Sequence, residues 1–211
     1  MNVSVIGLGY VGLPTAAILS ESGFNVLGVD SNPEIVDTVN RGEIHIVEPG
    51  LESCVKNSVE SGKLRASHVH EISEVYIIAV PTPLDDREKP DTSYIKAAIS
   101  DLSPILKKGD LIILESTSPI GTTELIRDWI AKNRKDLKLP SFGLDTDSDI
   151  NIAHCPERVL PGNVMHEIIF NDRIIGGISK KCSLKTKSFY ESFTKGECFQ
   201  TNSRLAEFSK L

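Results

Sequence analysis

The run Val3-Ser4-Val5-Ile6, broken at once by Gly7-Leu8-Gly9-Tyr10-Val11-Gly12, constrains this chain more than any other feature. A short β-branched stretch that meets glycines at the G-x-G-x-x-G spacing, then resumes as Leu13, Ala16, Ala17 and Leu19, reads as strand, tight turn and helix. Gly7 permits the turn, Gly9 lets backbone approach a pyrophosphate, and Gly12 allows close helix–strand contact. The helix start, with Tyr10 and Val11 completing the turn, offers unpaired N–H groups to an anion. A glycine-rich turn without a ligand has the same spacing, so the context decides: an acidic side chain is required about twenty residues on, at the end of the next strand. Asp30 occupies that place. Its carboxylate would accept from the adenosine ribose hydroxyls and repel a 2′-phosphate, so the expected cofactor is NAD rather than NADP.

The same alternation of strand and helix patterns continues along the chain, which predicts an α/β fold of Rossmann type: a doubly wound, mainly parallel sheet with helices on both faces. Strands are expected at 3–7, 25–30, 75–80, 111–115, 151–153, 173–175 and 197–200, the central ones apolar throughout as doubly buried strands must be. Asn32-Pro33 reads as an N-cap and N1 proline, followed by the stripe Ile35, Val36 and Val39. A second helix is expected after Pro49, through Leu51, Val55 and Val59 to Gly62, and a third after Asp91-Thr92, through Tyr94, Ile95, Ala98, Ile99 and Leu102. Residues 132–149 are polar and turn-rich and read as a loop. The 211 residues fit one NAD-binding domain over 1–200 with a short appendage over 201–211.

Two further segments leave the sheet at its carboxyl edge, where ligands bind in open α/β folds. In Val80-Pro81-Thr82-Pro83, Thr82 is expected to contact the cofactor, although a proline-stiffened loop has the same composition. In Glu115-Ser116-Thr117-Ser118-Pro119-Ile120-Gly121-Thr122-Thr123, Thr123 is placed with the cofactor residues, the plain alternative being that Thr122 or Thr123 caps a helix.

Composition narrows the partners. A net charge of −6 without a basic, aromatic-studded patch argues against nucleic acid. No apolar run approaches the roughly 20 residues that span a bilayer, and no leader precedes the first strand, so no membrane association and a cytoplasmic location are expected. Cys54, Cys155, Cys182 and Cys198 are scattered without C-x-x-C spacing, which predicts buried thiols rather than a metal site.

The ordered set Gly-Leu-Gly-Tyr-Val-Gly-Leu-Pro at 7–14, Pro-Thr-Pro at 81–83, Pro90-Asp91 with Tyr94, Ser116-Thr117 and Cys155-Pro156-Glu157-Arg158 resembles the UDP-glucose/GDP-mannose dehydrogenase family. Residues 40–49 (Asn-Arg-Gly-Glu-Ile-His-Ile-Val-Glu-Pro), 155–162 and 171–173 are most similar to the branch that oxidises UDP-N-acetyl-D-mannosamine. Pro161, where glucose-type members commonly carry a second glutamate, fits that branch. The resemblance implies a nucleotide-sugar substrate, a four-electron oxidation of a primary alcohol with two NAD consumed, and a homo-oligomer in the full-length enzyme. It implies that Thr117 and Glu157 surround the reacting carbon and its water, with Glu157 a base or water-orienting group, and that Arg158 and Val159 line the sugar-nucleotide site. Residues 206–211 resemble the start of the long helix joining the two halves of such enzymes, with Lys210 as the catalytic lysine. In the family the nucleophilic cysteine lies in a segment beyond these residues, and none of the four cysteines matches its motif, so this chain alone is expected not to turn over.

Overall fold

The computed structural model describes residues 1–85, 88–144 and 147–211. Eight strands form one sheet: β1 (Asn2–Ile6), β2 (Asn25–Val29), β3 (Leu64–Ser67), β4 (Val75–Ile78), β5 (Leu111–Leu114), β6 (Asn151–His154), β7 (Arg173–Gly177) and β8 (Cys198–Asn202). The helices are α1 (Gly12–Glu21), α2 (Pro33–Asn40), α3 (Leu51–Glu60), α4 (Ser93–Leu102), α5 (Thr122–Asn133), α6 (Val164–Phe170), α7 (Lys180–Tyr190) and α8 (Ser203–Phe208). The sheet order is β3-β2-β1-β4-β5-β6-β7-β8, and every neighbouring pair is parallel except β6–β7. Strand order therefore reverses between β1 and β4, which opens a crevice at their carboxyl ends.

Alternation along the strands sorts side chains into two cores. Val3, Val5, Val75, Ile77, Leu111 and Ile113 share a core with α1, α2, α3 and α7, while Tyr76, Ile78, Ile112 and Leu114 share one with α4 and α5. Both faces are covered, so β4 and β5 are buried at every position. Local chemistry fixes the helix starts. Asn32 accepts from the Glu34 amide ahead of Pro33, as expected for α2. At α4 the Asp91 carboxylate accepts from the Ser93 amide while the Thr92 side chain makes no cap. Gly62 takes φ 70° just past α3, the left-handed position that favours glycine.

Three elements depart from the sequence expectation. β3 is an edge strand in which only Leu64 and Ala66 are buried, too little apolar pattern to register. The helices α6 and α7 also carried no expected assignment. Within 132–149, Lys132 and Asn133 belong to the end of α5, Ser141 and Leu144 form an isolated bridge, and Asp145 and Thr146 lie outside the described residues.

Candidate active site

The crevice at the strand-order reversal has a volume of about 570 Å³ and is lined by residues from the carboxyl ends of β1, β2, β4 and β5. Gly7, Gly9, Tyr10, Val11, Asp30, Thr82, Thr117 and Glu157, all singled out from the sequence, line it together.

The glycine turn owes its shape to three different constraints. Gly7 has φ 91°, and a Cβ there would stand 2.7 Å from the Ala79 carbonyl oxygen. A Cβ on Gly12 would meet the Gly7 carbonyl oxygen at 1.8 Å, so α1 can approach β1 this closely only through glycine. Gly9 is different. Its φ is ordinary and a Cβ would meet nothing within 4 Å, so nothing in the protein's own packing demands glycine there. The space opens where a ligand's pyrophosphate must come close to backbone. Helix α1 has no side-chain cap and no acidic residue in its first turn, and among the described residues nothing accepts from the Tyr10 or Val11 amides. Free amides at a helix start suit an anion.

Asp30 leaves β2 with one carboxylate oxygen accepting from the Leu8 amide at 2.8 Å and the other from the Asn32 amide at 2.9 Å. It thus pins the glycine turn to the neighbouring strand, and each oxygen keeps a lone pair for hydroxyl donors. Backbone amides for a diphosphate and a carboxylate one strand away fit a dinucleotide carrying a free ribose. At the other side, the Thr82 hydroxyl donates to the Thr117 carbonyl at 2.7 Å, and the Ser116 hydroxyl donates to the Val80 carbonyl at 2.7 Å, so the two loops are tied together.

Glu157 sits where this wall meets α8. Burial pushes its carboxyl up to about 7, with the Lys210 ammonium opposing the shift and Glu115 reinforcing it. Lys210 Nζ donates to the Glu157 carbonyl at 2.5 Å and lies 4.0 Å from its carboxylate. The two are 53 residues apart in sequence, so the fold makes this pair. Behind Glu157 is a buried cluster: Tyr190 donates to Glu115 at 2.6 Å, and Arg173 lies over the Tyr190 ring at 4.6 Å. Among the described residues, one oxygen of Glu115 and Nε of Arg173 are buried without a hydrogen-bond partner. Burial raises the carboxyl of Glu115 and pushes the Cys155 thiol up to about 12.

Five expected residues are not in the crevice lining: Gly12, packed on Gly7, Lys210, bound to Glu157, and Thr123, Arg158 and Val159. Thr123 is fully buried, and both its amide and its hydroxyl donate to Glu207, at 2.7 and 2.6 Å. Its hydroxyl proton is thus engaged by α8 rather than turned to the crevice. Neither threonine caps α5: Gly121 is the N-cap, and the Glu207 carboxylate replaces the missing side-chain cap. Arg158 is exposed and donates to the Ser209 carbonyl at 2.9 Å, while the Val159 amide donates to the Glu157 carboxylate. Sequence reasoning assigned no role to Glu115, Arg173 or Tyr190. It also passed over Glu48, which lies in a quoted stretch but whose contacts are long-range.

Fold and crevice together define a nucleotide-cofactor domain of the doubly wound dehydrogenase class. The chain belongs to the UDP-glucose/GDP-mannose dehydrogenase family: residues 1–194 match that family's NAD binding domain. It is 53% identical over 210 residues to a UDP-N-acetyl-D-mannosamine dehydrogenase of Escherichia coli strain K12, covering all of this chain and 50% of that protein. It is 51% identical to an NDP-N-acetyl-D-galactosaminuronic acid dehydrogenase of Ralstonia nicotianae, again over all of this chain and 49% of the relative. The solved UDP-N-acetyl-mannosamine dehydrogenase of Staphylococcus aureus superposes with a TM-score of 0.91 at 41% identity, covering all of this chain and 50% of that one. The chain thus spans about half the length of the relatives it matches. Among the described residues, no helix is long and apolar enough to cross a membrane.

Proposed function

We propose that the protein to which this chain belongs oxidises the primary alcohol of UDP-N-acetyl-D-mannosamine with NAD, and that this chain supplies the cofactor site and one wall of the sugar site. The observation that carries the reading is the meeting, in one crevice, of a dinucleotide-shaped glycine turn with Glu157, whose carbonyl holds Lys210. Residues 1–200 are read as the NAD-binding domain and 201–211 as the beginning of a linking helix.

Gly7, Gly9, Tyr10, Val11, Gly12 and Asp30 would hold the adenosine diphosphate part of NAD, with Thr82 toward its other end and Thr117 beside the reacting carbon. The bound nicotinamide supplies a hydride acceptor. The chain's own groups handle charge. A carboxyl held near 7 can take or hold a proton at neutral pH, which suits Glu157 as base or water-orienting group. The Lys210 ammonium beside it stabilises oxyanion character on the reacting oxygen. Arg158 and Val159 would face the sugar nucleotide. Cys54, Cys155, Cys182 and Cys198 are all buried, and burial pushes the thiols of Cys54 and Cys155 up to about 12, so a covalent step needs a thiolate from elsewhere.

Calorimetric titration of the chain is expected to show NAD binding and much weaker NADP binding. Equal affinities would overturn the cofactor assignment. In the NAD-loaded chain, UDP-N-acetyl-D-mannosamine should shift the amide resonances of Glu157–Val159 more than UDP-glucose or GDP-mannose does. The Ralstonia relative, an NDP-N-acetyl-D-galactosaminuronic acid dehydrogenase by name, supports one rival, a nucleoside-diphosphate N-acetylgalactosamine substrate, which belongs in the same titration. Equal shifts from all the sugars would remove the sugar assignment, and sustained NADH formation by the chain alone would overturn the need for another thiol.

A further inference from the structure

The stretch 41–50, between α2 and α3, is irregular, yet it carries a buried acid. Ile44 and Ile46 pack against the core while Val47 faces solvent, and Glu48 between the chain's turns is 4% exposed. A buried carboxylate needs a cation or several donors. Among the described residues Glu48 has no ion-pair partner, and three donors serve it instead. Tyr10 Oη donates to Glu48 Oε2 at 2.8 Å, the Gly162 amide to the same oxygen at 3.0 Å, and the Val164 amide to Oε1 at 2.7 Å. The backbone of Glu48 is held too, its carbonyl accepting from the Leu51 amide at the turn into α3.

These three donors belong to two different parts of the crevice. Tyr10 is within the glycine turn. Gly162 and Val164 end the segment that begins at Glu157, whose other end is fixed by Lys210 and Ser209 and whose middle is fixed where the Leu160 amide donates to Glu167 at 2.7 Å. Gly162 is left-handed at φ 88°, and the turn it makes brings its own amide and that of Val164 to one carboxylate.

We propose that Glu48 is a positioning residue: its carboxylate couples occupation of the glycine turn to the placement of residues 157–164. This rests on the reading above, in which Glu157, Arg158 and Val159 face the sugar. A ligand that fixes the glycine turn fixes Tyr10, Tyr10 fixes Glu48, and Glu48 fixes the far end of the segment. The cofactor thereby orders the wall against which the second substrate lies. Burial raises the Glu48 carboxyl, and the bonds from the Gly162 amide, the Tyr10 hydroxyl and the Val164 amide outweigh that and bring it below its ordinary value, which keeps the acceptor charged at neutral pH.

Hydrogen exchange of the 211-residue chain, with and without saturating NAD, tests this without any turnover. In the wild type NAD should slow exchange at Gly162 and Val164 by about five- to tenfold, the lower end of the range for coupled sites. Tyr10→Phe keeps both amide bonds to Glu48, so basal protection at Gly162 and Val164 should stay, while its increase on adding NAD disappears. Glu48→Ala should lose both. A carboxylate that merely staples the fold would leave the NAD response of Tyr10→Phe intact, and that result overturns the proposal. So does NAD protection confined to the glycine turn in the wild type, an outcome that leaves the dehydrogenase reading standing. Absence of any NAD binding removes that reading first, and this inference with it.

Discussion

The two walls of the crevice are made of different materials. On the β1–β2 side the ligand surface is largely backbone: Gly7 and Gly12 held by neighbouring main chain, Gly9 open to a ligand, bare amides, and one carboxylate anchored by the Leu8 and Asn32 amides. On the β5–β7 side it is side chains: Glu115 and the partly buried Glu157 line the crevice, backed by Cys155, Arg173 and Tyr190 packed out of water, with buried atoms left unpartnered among the described residues. A diphosphate never changes its charge state in use, so rigid amides suffice for it. Chemistry that moves protons needs groups whose protonation can be tuned, and burial is the means.

The largest test of that contrast is Arg173→Met. It removes the cation over Tyr190 and near Glu115, and loss of one member of a buried charged set is expected to lower stability by about 3–5 kcal/mol in urea denaturation. A loss below about 1 kcal/mol would show that the side-chain wall does not depend on its cation. Next, Gly12→Ala should lower stability by about 3 kcal/mol through the forced clash with Gly7, whereas Gly9→Ala should leave the melting curve unchanged and weaken NAD binding. Equal stability of the two variants would break the claim that the glycines have separate jobs.

Asp30→Ala comes third, with NAD affinity expected to fall by about 1–3 kcal/mol in calorimetry as charge-assisted bonds are lost. Unchanged affinity would take Asp30 out of the binding wall. The smallest effect is that of pH. Glu157 has its folded carboxyl raised to about 7, so the native state holds its proton more tightly than the unfolded chain does. Its contribution is complete below the ordinary carboxylate range and is lost as pH rises through 7. Glu157→Gln should therefore gain on the wild type by about 2–4 °C in melting temperature between pH 4.5 and 8, equivalent to about 1 kcal/mol for a chain of this size once screening by water at the partly exposed carboxyl has reduced the full linkage. A constant difference across that range would mean the group titrates normally.

The same contrast governs what could be read from residues alone. The backbone wall is local: Gly7 to Gly12 and Asp30 lie within two strands and a helix, so spacing carries the information. β1, β2, β4 and β5 were legible to within a residue or two because runs such as Leu111–Leu114 are apolar on both faces. Helix α7 was not legible, because several of its inward positions are Cys182, Ser183 and Thr186 rather than a leucine stripe. Those hydroxyls are tolerated inside because Ser183 donates to the Thr201 carbonyl and Thr186 to the Cys182 carbonyl. The side-chain wall hid for another reason. Glu115 meets Tyr190 across 75 residues and Glu48 meets Val164 across 116, and no local pattern encodes such pairs. Glu157 and Lys210 were singled out only through family resemblance, and the structure brings them together.

The Glu207 carboxylate, lodged against the first turn of α5, sits 84 residues downstream of Thr123. During synthesis, α5 emerges long before the residue that completes it. Until then its first amides must be served by water, so the helix that covers one flank of the sheet waits, incompletely terminated, on a side chain 84 residues further along. Maturation of this flank is therefore timed by the arrival of α8 rather than by the order in which strands leave the ribosome.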